Sequence, residues 1–208
     1  MCGDYTMPKT GLTSEKIKEK ALQIAEEKIR YYGFEKFRLT DIAKELKISQ
    51  AALYNHFPDK AALLDAISER WLVQMDNTLE LITKQELPPR ELIVKWFLKY
   101  HELKKEKVLK DPELYKSFNM AAELLKPFII QHLDSLNQQL LMLVQKAIAT
   151  GEIRAESPEY LVRLLFEATV SFHHPRMVLD HKDEYREGLL RKLVEVMLEG
   201  LHDTERNQ

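Results

Sequence analysis

Apolar residues recur along this 208-residue chain at intervals of three and four rather than two, the spacing that lines one side of an α-helix. Ile17, Ala21, Ile24, Ala25 and Tyr32 fall on one face of a first helix running from about Ser14 to Tyr32, and Gly33 offers a left-handed stop. Two very short helices follow, near residues 40–46 and 50–56. Pro58-Asp59 then opens a long helix through Leu64, Ile67, Trp71 and Met75 to about Ile82, broken by Pro88-Pro89. Further helices span about 90–107, from Asp111-Pro112 to Pro127, and on to Thr150, where Gly151 ends the pattern. Ser157-Pro158 caps a helix reaching Phe172, Pro175 interrupts, and a last helix covers about 183–201. The expectation is an all-α chain of about nine helices with no internal repeat and no segment insisting on a strand.

Composition narrows the class. Hydrophobic residues are 45% and charged residues 31%, as in soluble globular proteins. Net charge is −2, but it is unevenly spread: residues 9–60 hold 11 Lys/Arg against 8 Asp/Glu, while residues 61–208 hold 20 against 24. A basic head on an acidic body suits contact with nucleic acid at one end. Cys2 is the single cysteine, which excludes an internal disulfide and a thiolate zinc site. No basic stretch followed by an apolar run marks a signal peptide, and no apolar segment approaches a membrane span. The reading is therefore cytoplasmic, without membrane contact. Residues 1–12 read as a tail, with Met7 as an alternative start.

The chemistry lies in the two short helices. Helices of this length are marginal alone in water, so their apolar sides must be held. Ile42, Ala43 and Leu46 give one such side, Ile48 plugs the turn, and Leu53 and Phe57 anchor the next helix. The opposite face remains for a partner. Ser49 is placed as an N-cap, and Gln50, Ala51, Tyr54 and Asn55 share one exposed face. Small Ala51 and Ala52 permit close approach to base edges, and Gln50 and Asn55 carry the paired donor and acceptor that reads adenine in the major groove. Tyr54, His56 and Lys60 are placed to contact phosphates, which set register without reading sequence. This division of labour is that of a helix-turn-helix over about residues 38–57.

The run Leu53-Tyr54-x-His56-Phe57-x-x-Lys60, preceded by Asp41-Ile42-Ala43 and Ile48-Ser49, resembles the TetR family of transcriptional regulators over about residues 14–70. Gly151-Glu-Ile-Arg154 and the helix number extend the likeness. The resemblance implies a three-helix DNA-binding domain over residues 12–72 and a C-terminal domain over residues 73–208 that dimerises and binds an effector. It implies double-stranded operator DNA as partner, with Arg38, Thr40, Ser49, Gln50, Ala51, Ala52, Tyr54, Asn55, His56 and Lys60 as the footprint. Repressor is the family's usual role. Two positions depart from the pattern. Lys47 stands where the tight turn usually has Gly, at a cost of about 1 kcal/mol if left-handed. Arg38 stands where Ser or Thr usually caps the second helix, and is read instead as a phosphate or minor-groove contact.

In the C-terminal body, Leu161, Leu164, Leu165, Ala168 and Phe172 line one late helix, and Leu189, Leu190, Leu193, Val194, Met197 and Leu201 line the last. Such stripes suit a homodimer built from segments 158–174 and 183–201 of two copies; burial in the monomer core is the alternative. An aromatic and Met-rich set could line a cavity for a small apolar effector: Trp96, Phe97, Tyr100, His101, Phe118, Met120, Phe128, His132, Phe166 and His173, with Met142, Phe172 and Met177 nearby. His101, His132, His173 and His174 invite a metal-responsive reading, but they lack ligand spacing, so no metal and no cofactor is expected. Nor is an enzyme. The six glycines form no phosphate loop, no Gly-x-Ser-x-Gly elbow occurs, and His101-Glu-x-x-Lys105 has Lys where a zinc-protease helix needs its second His. A helical adaptor without DNA contact is the remaining rival.

Overall fold

A computed structural model describes residue 11 and residues 13–200; the tail assigned to residues 1–12, with Met7, lies almost wholly outside them, as does Leu201 of the last apolar stripe. Among the described residues there are eleven helices and no strand. They are α1 (Ser14–Tyr32), α2 (Leu39–Leu46), α3 (Gln50–Tyr54), α4 (Lys60–Thr83), α5 (Pro89–Lys110), α6 (Pro112–Glu123), α7 (Pro127–Ala149), α8 (Pro158–Ala168), α9 (Val170–His173), α10 (Pro175–Asp180) and α11 (Glu187–Gly200). No helix among the described residues is long and apolar enough to cross a membrane.

The chain divides into two compact units. The first runs up to Arg70 and takes in Glu113–Phe118; the second comprises Trp71–Pro112 and continues from Asn119. Both α4 and α6 therefore contribute to each unit.

In the first unit one apolar cluster joins Ile17, Ala21, Ala25 and Ile29 of α1 to Ile42, Leu46, Leu53 and Phe57, with Leu63, Ile67 and Leu114 closing it. The α1 face differs from the sequence expectation at its end. Ile29 enters the core, whereas Tyr32 is 55% exposed. Gly33 then takes φ 79°, and its N–H bonds the Ile29 carbonyl at 2.9 Å; positive φ here suits glycine. Ion pairs cross between helices: Lys28 to Glu45 at 2.7 Å joins α1 to α2, and Glu26 to Arg70 at 2.7 Å joins α1 to α4.

In the second unit α5 is central, packing on α7, α9, α10 and α11. Pro89, Pro112, Pro127, Pro158 and Pro175 each open a helix, where a missing N–H costs nothing. The expected helix from Pro158 to Phe172 is divided. Thr169 is buried with its hydroxyl donating to the Leu165 carbonyl at 2.7 Å, and the chain restarts as the single turn α9. His174 is then extended, with ψ 128°, as a residue before proline tends to be. These two breaks account for the extra helices α9 and α10. The last helix begins at Glu187 rather than near 183, just after Arg186, whose guanidinium lies over the Phe172 ring at 4.4 Å and donates to the Ser171 carbonyl at 3.0 Å.

Candidate nucleic-acid interface

The turn between α2 and α3 is built from backbone geometry. Lys47 closes α2 in the left-handed conformation, φ 55° and ψ 39°, and Ile48 N–H reaches the Ala43 carbonyl at 3.0 Å. That six-to-one bond is the signature of a Schellman stop, usually made with glycine. Ser49 then begins α3, its hydroxyl accepting from Ala52 N–H at 3.1 Å. Ile48 packs on the core, so the reversal is held from inside.

Five residues of helix cannot sustain themselves, so α3 depends on its anchors. Leu53 is fully buried and Phe57 is 4% exposed. Phe57 N–H closes onto the Leu53 carbonyl at 3.0 Å, extending the turn to the next anchor. The other side projects outward: Gln50, Ala51, Tyr54 and Asn55 are exposed, and Ala52 and His56 are half-buried. Tyr54 keeps 43% of its surface accessible. Arg38, at the head of α2, is exposed and makes no capping bond; Thr40 beside it is half-buried. One footprint residue is engaged elsewhere. The Lys60 ammonium donates to the Phe34 carbonyl and lies 4.1 Å from the Phe34 ring centroid and 5.3 Å from that of Phe37, so Lys60 fastens the loop after α1 to the start of α4. Asp59 caps that helix, accepting from Ala62 N–H at 2.7 Å.

The residues picked for an effector pocket separate into two groups. Trp96, Tyr100, His132, Phe166 and His173 interlock in the second unit, with Phe97 against Trp96 and Phe166. The Tyr100 and His173 rings stack at 5.4 Å, and Phe166 meets His173 edge-on at 5.7 Å. His101 and Phe172 meet at 5.8 Å. Phe118 instead packs on Tyr115 in the first unit, and Met120 is 65% exposed. Met142 and Met177 also face outward, and Phe128 is half-buried.

Sequence reasoning missed the polar members of this cluster. Gln139 accepts from the Trp96 indole N–H at 3.0 Å and donates to the Asp76 carbonyl at 3.1 Å. Lys104 is 3% exposed, with its ammonium 5.0 Å from the Tyr100 ring centroid. Burial pushes its pKa down to about 7, against the opposing pull of Asp76. A signal for it existed: Trp96, Tyr100, Lys104 and Val108 recur every four residues along the buried side of α5. The histidines do not converge on a metal. Their rings bond Asp76 and backbone carbonyls, His174 is exposed, and no group of three or more His, Cys, Asp or Glu among the described residues is arranged to hold one.

The late helices divide their apolar positions between inside and outside. Leu161, Leu165, Phe172, Leu190 and Val194 are buried in their own unit, so the wide stripe read from the sequence is partly core. What stays outside is a narrower stripe of Tyr160, Leu164 and Ala168 on α8 and of Leu189 and Val196 on α11, with Leu193 and Met197 half-buried.

A short anchored helix that turns polar residues outward after a capped reversal defines a helix-turn-helix DNA-binding protein. Family models match both parts of the chain: that described as bacterial regulatory proteins, tetR family, at residues 22–67, and that described as tetracyclin repressor-like, C-terminal domain, at residues 89–197. The chain belongs to the TetR family, whose members are DNA-binding transcription regulators and not enzymes. No curated protein matches it by sequence. Solved structures share its fold. A Rhodococcus protein described as of unknown function is 20% identical, covers 93% of this chain and 98% of its own, and gives a TM-score of 0.68. FadR from Bacillus subtilis, in complex with stearoyl-CoA, is 17% identical, covers 88% and 99%, and gives 0.64. FadR from Thermus thermophilus, in complex with lauroyl-CoA, is 19% identical, covers 92% and 98%, and gives 0.62.

Proposed function

We propose that the chain is an effector-released repressor that binds a palindromic operator as a homodimer. The observation that carries this reading is the outward face of α3 and the turn after it, where Gln50, Ala51, Tyr54 and Asn55 are exposed while Leu53 and Phe57 are buried in the core. In the bound state Gln50 and Asn55 read base edges, and the two alanines let the backbone come close. Arg38, Thr40, Ser49, Tyr54 and His56 contact the flanking phosphates and set the register. Lys60 contributes by position, holding the loop after α1 to the start of α4, rather than through a free ammonium.

The outward stripes on α8 and α11 support the homodimer. A four-helix interface of two such hairpins would present two reading helices about 34–36 Å apart, matching successive major grooves. The acyl-CoA complexes of the two FadR neighbours support control by a small molecule, which would act by favouring one of two pre-existing states.

Selection of bound duplexes from a random pool, followed by titration at several salt concentrations, tests the reading. Specific binding with a steep loss of affinity at higher salt is expected. Gln50→Ala should cost about 1–3 kcal/mol at one base position and relax preference there. Lys60→Met should weaken all sequences alike and also lower the melting temperature of the first unit. Uniform weakening by both variants, or no specific duplex at all, rejects the proposal.

A further inference from the structure

The first unit carries an open groove that the α3 footprint leaves unused. It holds about 560 Å³ between α1, which gives Lys28 and Tyr32, the loop with Lys36 and Phe37, and α2, which gives Asp41, Lys44 and Glu45. That is roughly twenty times one water's share of the liquid, room for a stretch of chain rather than a single ion. Its charges are unevenly matched. Glu45 is taken up by Lys28 at 2.7 Å. Asp41 is half-buried in the first turn of α2, where the positive end of a helix favours a carboxylate. Lys36 and Lys44 are exposed, and no hydrogen bond or ion pair to another described residue engages either ammonium. Two cations therefore face a groove whose carboxylates are already offset.

The rest of the lining is aromatic. Phe37 is 3% exposed and forms an apolar floor, while Tyr32 keeps 55% of its surface accessible, with Tyr31 edge-on to it at 4.7 Å. Phe37 also fixes where the groove stands. Its ring centroid is 5.3 Å from the Lys60 ammonium at the start of α4, and the next residue along the chain is the exposed Arg38 at the head of α2. The groove thus adjoins two residues of the expected DNA footprint, inside the one unit that holds α3.

Resting on the reading of this unit as the one that grips DNA, we infer that the groove takes the sugar-phosphate backbone of duplex flanking the bases that α3 reads. Lys36 and Lys44 meet phosphates, the Tyr32 hydroxyl donates to a phosphate oxygen, and Phe37 faces the sugar. Phosphates repeat along a strand, which suits two separate ammoniums in one elongated groove. Contacts of this kind add affinity and salt dependence without reading sequence. A lone inorganic anion would fill only part of the space. An apolar ligand would strip water from two unpaired charges, a costly outcome.

Binding of the full chain to duplexes with progressively longer flanks, at several salt concentrations, tests this. Affinity should rise as flanks are added beyond the bases that α3 reads. Lys36→Gln combined with Lys44→Gln should abolish that rise, cost about tenfold in affinity at low salt, and flatten the slope of log affinity against log salt by about 1–2. Both side chains are exposed, so the melting temperature should stay where it was. Lys84→Gln combined with Lys146→Gln removes the same charge from the second unit and should leave the slope nearly unchanged. In the unaltered protein, the side-chain ¹³Cε resonances of Lys36 and Lys44 should move with the long duplex and not with equimolar inorganic phosphate. An unchanged slope in the groove variant, an equal loss in the second-unit variant, or equal shifts with inorganic phosphate would overturn the inference. The slope is also measurable on a random duplex, so failure to select an operator would sink the sequence-reading regulator and leave the groove standing. A selected operator bound with unaltered slope by the groove variant would do the reverse.

Discussion

Lys47 holds φ 55° at the end of α2, a conformation in which its Cβ crowds the backbone. Glycine would relieve that crowding. Lys47→Gly should raise stability by about 0.5–1 kcal/mol, read from the midpoint of urea unfolding; no change, or a loss, would mean that the side chain repays its strain through another contact. Arg38 poses the opposite trade. As N-cap it satisfies no backbone N–H, and Arg38→Ser should add about 0.5–1 kcal/mol of stability by capping α2. If Arg38 reaches a phosphate in the complex, the same change should weaken operator binding and reduce the salt slope by about 1. More stable protein with unchanged DNA binding would remove Arg38 from the footprint. Both departures were visible in the sequence because the surrounding pattern is so regular. The inward turn of Lys60 was not, since a lysine four residues beyond His56 looks identical whether it reaches water, phosphate or the Phe34 carbonyl.

At the scale of elements, the buried polar cluster makes the second unit sensitive to pH. His101, His132 and His173 are all pushed down by burial, His173 to about 3, and the Asp76 hydrogen bond to His132 only partly offsets this. The unfolded chain takes up these protons near pH 6.5 while the folded chain refuses them, so stability must fall as pH drops through 6.5 towards 3. Lys104 follows the same sign in a higher window. Its folded pKa is about 7 against 10.5 for a lysine in water, so stability rises between those values as the unfolded amine gives up its advantage. Urea midpoints measured across both windows should climb with pH, and Lys104→Met should flatten the upper one; an unchanged slope would place Lys104 in water. Helix type and order were legible wherever prolines and four-residue spacing agreed, as at Pro112 and Pro127. The α8–α9 break was not, because it depends on a threonine hydroxyl bonding back into its own helix, which spacing cannot show. Lys104 and Asp76 were passed over for a related reason: charged residues are read as surface unless their register on a buried face is checked.

For the whole molecule, the proposed homodimer would rest on the exposed stripes of α8 and α11. Leu164→Asp together with Leu189→Asp changes no residue of the buried core, so the fold should survive while sedimentation shifts from dimer to monomer and operator affinity drops. A monomeric unaltered protein, or a dimer indifferent to these charges, would place the interface elsewhere. The apolar stripes suggested dimerisation from the sequence alone, but not which half of each stripe was free. Residues three and four apart straddle the boundary between a helix's inner and outer sides, and only the packed neighbours decide.

Along α3 and the turn that follows it, the anchoring side chains and the outward ones are different residues. Leu53 and Phe57 are consumed by the core, whereas Gln50, Ala51, Tyr54 and Asn55 contribute almost nothing to it. On the proposed reading, evolution could therefore rewrite the address these residues recognise without renegotiating the architecture, and a designer exchanging those four positions should recover a stable chain with a new target.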